Sequence, residues 1–257
     1  MNAIKAIFNK QLADLPKNIS VSMMFVMFPA ISLLFGFVMG EGDPAFAAAM
    51  NVQFGMIFAS MTPMVMIGNA IAEDNEYKAL RFMVTAGVKP VQYLAGLISF
   101  TMIISIFPIL AFAFIGGYPM PEVLIFIGLV LLGCLASSII GAIVGIFSKN
   151  VQQASAIYTP LGMVFAFMPM LALFSDTIRT IAFPLFSVQI FVALMDVTSP
   201  PYIVQGGGYF DGVWVPNEVP YEAMSLGLPI ALAIIGANVL VFGVLFAIAY
   251  KKKGLRG

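Results

Sequence analysis

The sequence predicts an all-α polytopic membrane protein with six transmembrane helices and both termini on the cytoplasmic side. Composition and the placement of a few charges carry that prediction. Of 257 residues, 61% are hydrophobic and only 9% are charged, and the mean hydropathy is +1.02. A soluble domain carries about 25% charged residues, so this chain has too little polar surface to cover a water-soluble globule. Twelve basic residues balance twelve acidic ones, which argues against a nucleic-acid partner, because that partner requires a basic footprint. With no His and the single Cys134, the usual zinc, haem, Ser-His and Cys-His arrangements lose their commonest ingredient.

A helical span needs about 20 apolar residues, so long gaps between charges read as spans. Six gaps qualify within one transmembrane domain covering 1–257: 19–40, 52–72, 91–115, 123–148, 150–175 and 223–250. The first is too long for the apolar region of a signal peptide and lacks a small-residue cleavage pattern, so it is read as a retained span. Orientation follows from the basic residues. Lys5, Lys10, Lys17, Lys78, Arg81, Lys89, Lys149, Lys251, Lys252, Lys253 and Arg256 fall in one alternating set of loops, and only Arg179 falls in the other. The first set is therefore cytoplasmic, and 176–222 becomes the largest extracellular region.

Between the spans lie interfacial pieces. In 1–18, Ile4, Ile7, Phe8, Leu12 and Leu15 recur at helical spacing, Lys5 and Lys10 fall on the other side, and Pro16 stops the helix. This predicts an amphipathic helix lying against lipid headgroups. The stretch 73–89 predicts a short cytoplasmic helix with Glu73, Asp74 and Glu76 in its first turn, Asp74 paired to Lys78 at i,i+4, and Gly87 and Pro90 ending it. Such a helix is either a connector kept out of the bilayer by its charges or a docking surface for a cytoplasmic partner.

On the outer side, 180–195 is charge-free but short and interrupted by Pro184, which predicts a re-entrant or interfacial segment before the last span. Asp211-Gly212 lies between Tyr209-Phe210 and Val213-Trp214, a two-residue hairpin signal. That hairpin is either an anchored loop or a recognition element.

Within the spans, Gly133, Ser137, Gly141 and Gly145 recur every four residues. Small residues at that spacing let two helices approach closely, within one subunit or across a dimer. The fifth span carries Gln152, Gln153 and Thr159, and the second carries Gln53, Thr62 and Asn69 among several Met residues. Polar groups at these depths must face other helices or a water-filled cavity. No ionisable residue lies well inside a span, which lowers the case for an ion-coupled carrier. None of the nine Lys is followed by Ser or Thr, so the chain has no phosphate-cradling G-x-x-x-x-G-K-[ST] loop of its own.

The acidic turn Ile71-Ala72-Glu73-Asp74-Asn75-Glu76, its apolar anchors Leu80 and Val88, and the second cytoplasmic loop from Gly145 to Ala154 resemble the membrane subunit of type-two ATP-binding cassette exporters. The resemblance extends over most of the chain. It departs at Lys78, where that family usually has Gly, and at Gly87, where it often has Pro.

The resemblance implies a non-enzymatic subunit of an ATP-driven exporter in the cytoplasmic (inner) membrane of a prokaryotic cell. A separate cytoplasmic ATPase would bind ATP and Mg, and a second copy or a related six-span subunit would complete the transporter. It further implies a coupling helix at 73–89, with Glu73, Glu76, Leu80 and Arg81 as coupling residues. The second and fifth spans would meet at the subunit interface, placing Gln53, Thr62, Asn69, Gln152, Gln153 and Thr159 along a translocation path for drug, peptide or lipid-like cargo. The alternatives from other classes are an ion-gradient-driven transporter and a non-transporting membrane anchor or assembly subunit.

Overall fold

Apolar runs punctuated by Pro, Gly and charge set where each helix begins and ends. The computed structural model describes residues 3–39, 44–198, 207–210, 213–216 and 226–255. Helix α1 (Ala3–Asp14) passes through a tight 3₁₀ turn, Leu15–Lys17, into α2 (Ile19–Leu34), where Asn18 Oδ1 caps the helix by accepting from the Val21 N–H. A π-helical turn, Phe35–Met39, prolongs α2. Next come α3 (Pro44–Glu76), the short α4 (Ala79–Thr85), α5 (Pro90–Gly116), α6 (Met120–Phe147) and α7 (Val151–Phe174). Helices α8 (Asp176–Ala182) and α9 (Phe186–Thr198) precede the paired strands β1 (Gly207–Phe210) and β2 (Val213–Pro216), and α10 (Leu228–Leu255) follows.

Pro opens α3 and α5, where its missing N–H costs nothing, and Gly117 at φ 63° closes α5. Among the described residues, six helices are long and apolar enough to cross a membrane: α2 with its π turn, α3, α5, α6, α7 and α10. Helices α8 and α9 form a pair bent by 108°. Residues Phe186 to Met195 of α9 are buried, so this segment packs within the bundle instead of lying along its surface.

Helix α3 is the hub. It packs on α2 with its π turn, α4, α5, α6, α7 and α9, and it is the most enclosed of the six candidate spans, whereas α10 is the least. Lipid offers no hydrophobic drive for this packing, so close backbone approach has to supply it. The small-residue face of α6 does so. A Cβ on Gly141 would overlap the Met64 carbonyl oxygen, and one on Gly145 would lie 2.8 Å from the Gly68 carbonyl oxygen. On the same face Ser137 Oγ donates to the Ala59 carbonyl, and Gly133 faces Ala59 and Ile190. These contacts lie inside one subunit, between α3 and α6.

The stretch 73–89 differs from its expected form. Glu73 to Glu76 are the last turn of α3, not the first turn of a separate helix, and the separate short helix is only α4. Asp74 pairs with Lys10 of α1 rather than with Lys78. The helix continues because its apolar face runs on through Ile67 and Ile71 into a second core at this end, shared with Ile7, Leu80, Tyr93 and Phe246. Lys78, at φ 60°, makes the break. A left-handed backbone there is the conformation Gly adopts without strain, which is the physical sense of the Gly usual at this place in the family resembled.

The two strands pair antiparallel, with Tyr209 opposite Trp214 and Phe210 opposite Val213. The intervening Asp211 and Gly212 lie outside the described residues.

Candidate functional site

The end of the bundle that gathers Lys10, Lys78, Lys89 and Lys149 is organised by one turn of helix, Glu73 to Glu76. Asp74 is 3% exposed. Its two carboxylate oxygens are satisfied separately: Lys10 pairs with Oδ1, and the Tyr93 hydroxyl donates to Oδ2 at 2.6 Å. A buried charge held this way fastens α1 and α5 to α3. The Tyr93 ring lies 5.8 Å from that of Tyr250 on α10, and the Tyr250 hydroxyl donates to the Val88 carbonyl at 3.3 Å.

Asn75 reaches the other way. Its Nδ2 donates to the carbonyls of Gly145, Ile146 and Ser148 at 2.9, 3.1 and 3.1 Å. These carbonyls lie at the end of α6 and at its cap, and the one of Gly145 also accepts from the Ser148 N–H at 3.3 Å. Glu76, exposed, accepts from the Val151 N–H at 3.4 Å where α7 begins. A carboxylate at a helix N-terminus is favoured by that helix's dipole. The same start of α7 is capped by Asn150 Oδ1, which accepts from the Gln153 N–H at 2.8 Å, while Gln153 Oε1 accepts from the Lys149 N–H at 2.8 Å. One turn of α3 therefore ties together α1, α5, α6 and α7.

Next to this junction, α4 is held by Leu80, which is buried. Tyr77 just before α4 and Phe82 within it are each 72% exposed. Two exposed aromatics on a short, anchored helix form the kind of surface that carries protein–protein affinity.

The structure distributes the residues singled out in sequence as follows. Glu73 is half-buried and faces a cavity beside α1, Glu76 sits at the α7 N-terminus, Leu80 points inward, and the Arg81 side chain lies outside the described ones. Of the residues expected along a path, Gln152 and Gln153 are exposed, Gln153 serving as a cap, and Thr159 is half-buried. Asn69 accepts from the Tyr158 hydroxyl at 2.6 Å, which joins α3 to α7. Thr62 is wholly buried, so it lines no open passage in this conformation. Gln53 Nε2 and Thr62 Oγ1 have no hydrogen-bond partner among the described residues. Most of the surface of the second span is enclosed within the chain, because six other helices pack on it.

Sequence reasoning missed Lys10 and Tyr93 as partners of Asp74, Tyr250 beside Tyr93, Asn75 at the end of α6, and Tyr158 on Asn69. The available signal was the placement of polar-tipped aromatics near the ends of spans. Among the described residues no group of three or more His, Cys, Asp or Glu could hold a metal ion.

Residues 2–251 match the family model described as ABC-2 family transporter protein. The chain belongs to that family. It is the membrane subunit of an ABC-2 type transporter, a permease domain of a kind that is typically non-catalytic, and it is a multi-pass membrane protein. None of the curated proteins compared with it matches. In this permease the aromatic-bearing α4 and the α3 junction form the candidate coupling site.

Proposed function

We propose that this ABC-2 subunit is the transmembrane part of an ATP-driven exporter. Separate cytoplasmic ATPase subunits bind and hydrolyse ATP with Mg, and a second copy or a related six-span chain completes the translocation route. The positive-inside rule sets the Lys-rich end in the cytoplasm. Supporting the reading above all is one feature of that end: an exposed aromatic helix, α4, continuous with a turn whose side chains grip four other elements. ATPase subunits that close on ATP would displace α4, and the junction would carry that displacement into the spans. Cargo that suits an apolar bundle with sparse polar groups is amphipathic: a drug, a peptide or a lipid-like molecule.

The test is co-purification of the ATPase with the tagged chain, followed by cargo-stimulated ATP hydrolysis. Tyr77→Ala with Phe82→Ala is expected to reduce ATPase recovery by roughly tenfold or more, as loss of interface aromatics commonly does. Glu73→Ala with Glu76→Ala is expected to uncouple hydrolysis from export. Normal recovery together with normal export in both double variants would remove the assignment of this end as the coupling site.

A further inference from the structure

The elbow between α1 and α2 encloses a cavity of about 450 Å³ that the coupling reading does not use. Its polar wall is made by Gln11 and Asp14 at the end of α1, Lys17 and Asn18 in the turn, and Glu73 from α3. The wall carries two carboxylates and one ammonium. Lys17 Nζ donates to Asp14 Oδ1 at 2.9 Å, whereas Glu73 has no ion pair among the described residues.

On the other side of α2 lies a second cavity, of about 340 Å³, lined by Leu15, Ser22, Phe25, Ile103, Ile104 and Phe107. It is almost wholly apolar, and Ile103 and Phe107 are 57% and 69% exposed, so it opens sideways to the bilayer. Leu15 lines both cavities. A chamber bearing both signs of charge at the end of a span thus meets an apolar slot running along that span.

We infer that the elbow binds a bilayer phospholipid with a primary-amine headgroup. Its ammonium is held by Glu73 and Asp14, its phosphate by Lys17, and one acyl chain lies in the slot between α2 and α5. A primary ammonium donates charge-assisted hydrogen bonds to carboxylates, a trimethylammonium has no N–H to donate, and an uncharged glycerol headgroup leaves both carboxylates beside an anionic phosphate. The site thereby selects for the amine.

The test uses the full chain alone in detergent, so its outcome does not depend on the ATPase. Native mass spectrometry with equimolar phosphatidylethanolamine, phosphatidylcholine and phosphatidylglycerol is expected to show preferential retention of phosphatidylethanolamine. Glu73→Gln is expected to lower that retention by about tenfold, the equivalent of one charge-assisted hydrogen bond. Ile103→Trp, on an exposed face of α5, fills the slot without touching the charges. It is expected to cut retention severalfold while the unfolding temperature of the chain stays near that of the wild type, and it decides the matter if the Glu73 variant does not fold. Equal retention of the three lipids by the wild type, or undiminished retention in either folded variant, overturns the proposal.

Discussion

Asp74 stands at the carboxyl end of α3, where the helix dipole disfavours a negative charge, and it is buried there. Its position rests on Lys10 and Tyr93, but the two sides of the ion pair are unequal because Lys10 is 41% exposed. Removing Asp74 frees an ammonium that can turn to water, whereas removing Lys10 strands a carboxylate in the interior. Lys10→Met is therefore expected to destabilise by about 3 kcal/mol, near the lower end of what an uncompensated buried charge costs. Asp74→Asn, whose amide oxygen can still accept from Tyr93, is expected to cost about 1 kcal/mol. The combined variant should be more stable than Lys10→Met alone, since the stranded charge is gone. Thermal unfolding in detergent reads all three, and costs that simply add would show that the pair is not coupled.

At the scale of elements, the α3–α6 contact depends on backbone touching backbone. Gly141→Ala places a methyl group on the Met64 carbonyl, and the helices must part to admit it. The expected loss is about 1–3 kcal/mol or more, typical of overpacking. Gly128→Ala, on the same helix with nothing within 4 Å of the added carbon, is expected to be neutral or slightly stabilising through helix propensity. Equal unfolding temperatures for the two variants would dismiss the close contact as a determinant of the bundle.

The spacing of Gly133, Ser137, Gly141 and Gly145 was legible in the sequence because helical periodicity alone puts them on one face. Their partner was not, since nothing local states which span faces them. The spans were legible as gaps between charges for a similar reason: the bilayer tests apolar length directly. The end of α3 was not legible. Glu73-Asp74-Asn75-Glu76 looks like the place where a span must stop, and Asp74 had a plausible partner four residues away in Lys78. Its actual partners lie 64 and 19 residues away along the chain, at distances where sequence spacing carries no information.

For the whole molecule, the proposed coupling route places docking on α4 and transmission in α3. Because α3 contacts six other helices among the described residues, movement of its last turn cannot remain local. Asn75 joins this turn to the end of α6 through three carbonyls, and it lies apart from the exposed aromatics Tyr77 and Phe82. Asn75→Asp keeps the size of the side chain and replaces its donor by an acceptor, which repels those carbonyls. The docking surface is left alone, so ATPase recovery should match the wild type. The linkage between α3 and α6 is lost, so export per ATP hydrolysed should fall by roughly tenfold, the scale of about 1.4 kcal/mol of coupling free energy. Phe82→Ala should act in the opposite sense, lowering ATPase recovery while the export that remains per bound ATPase stays near normal. Reconstituted vesicles containing both subunits measure the two ratios independently. If Asn75→Asp exports normally, or loses the ATPase along with export, the route from α4 through α3 to the spans is not the one that moves cargo.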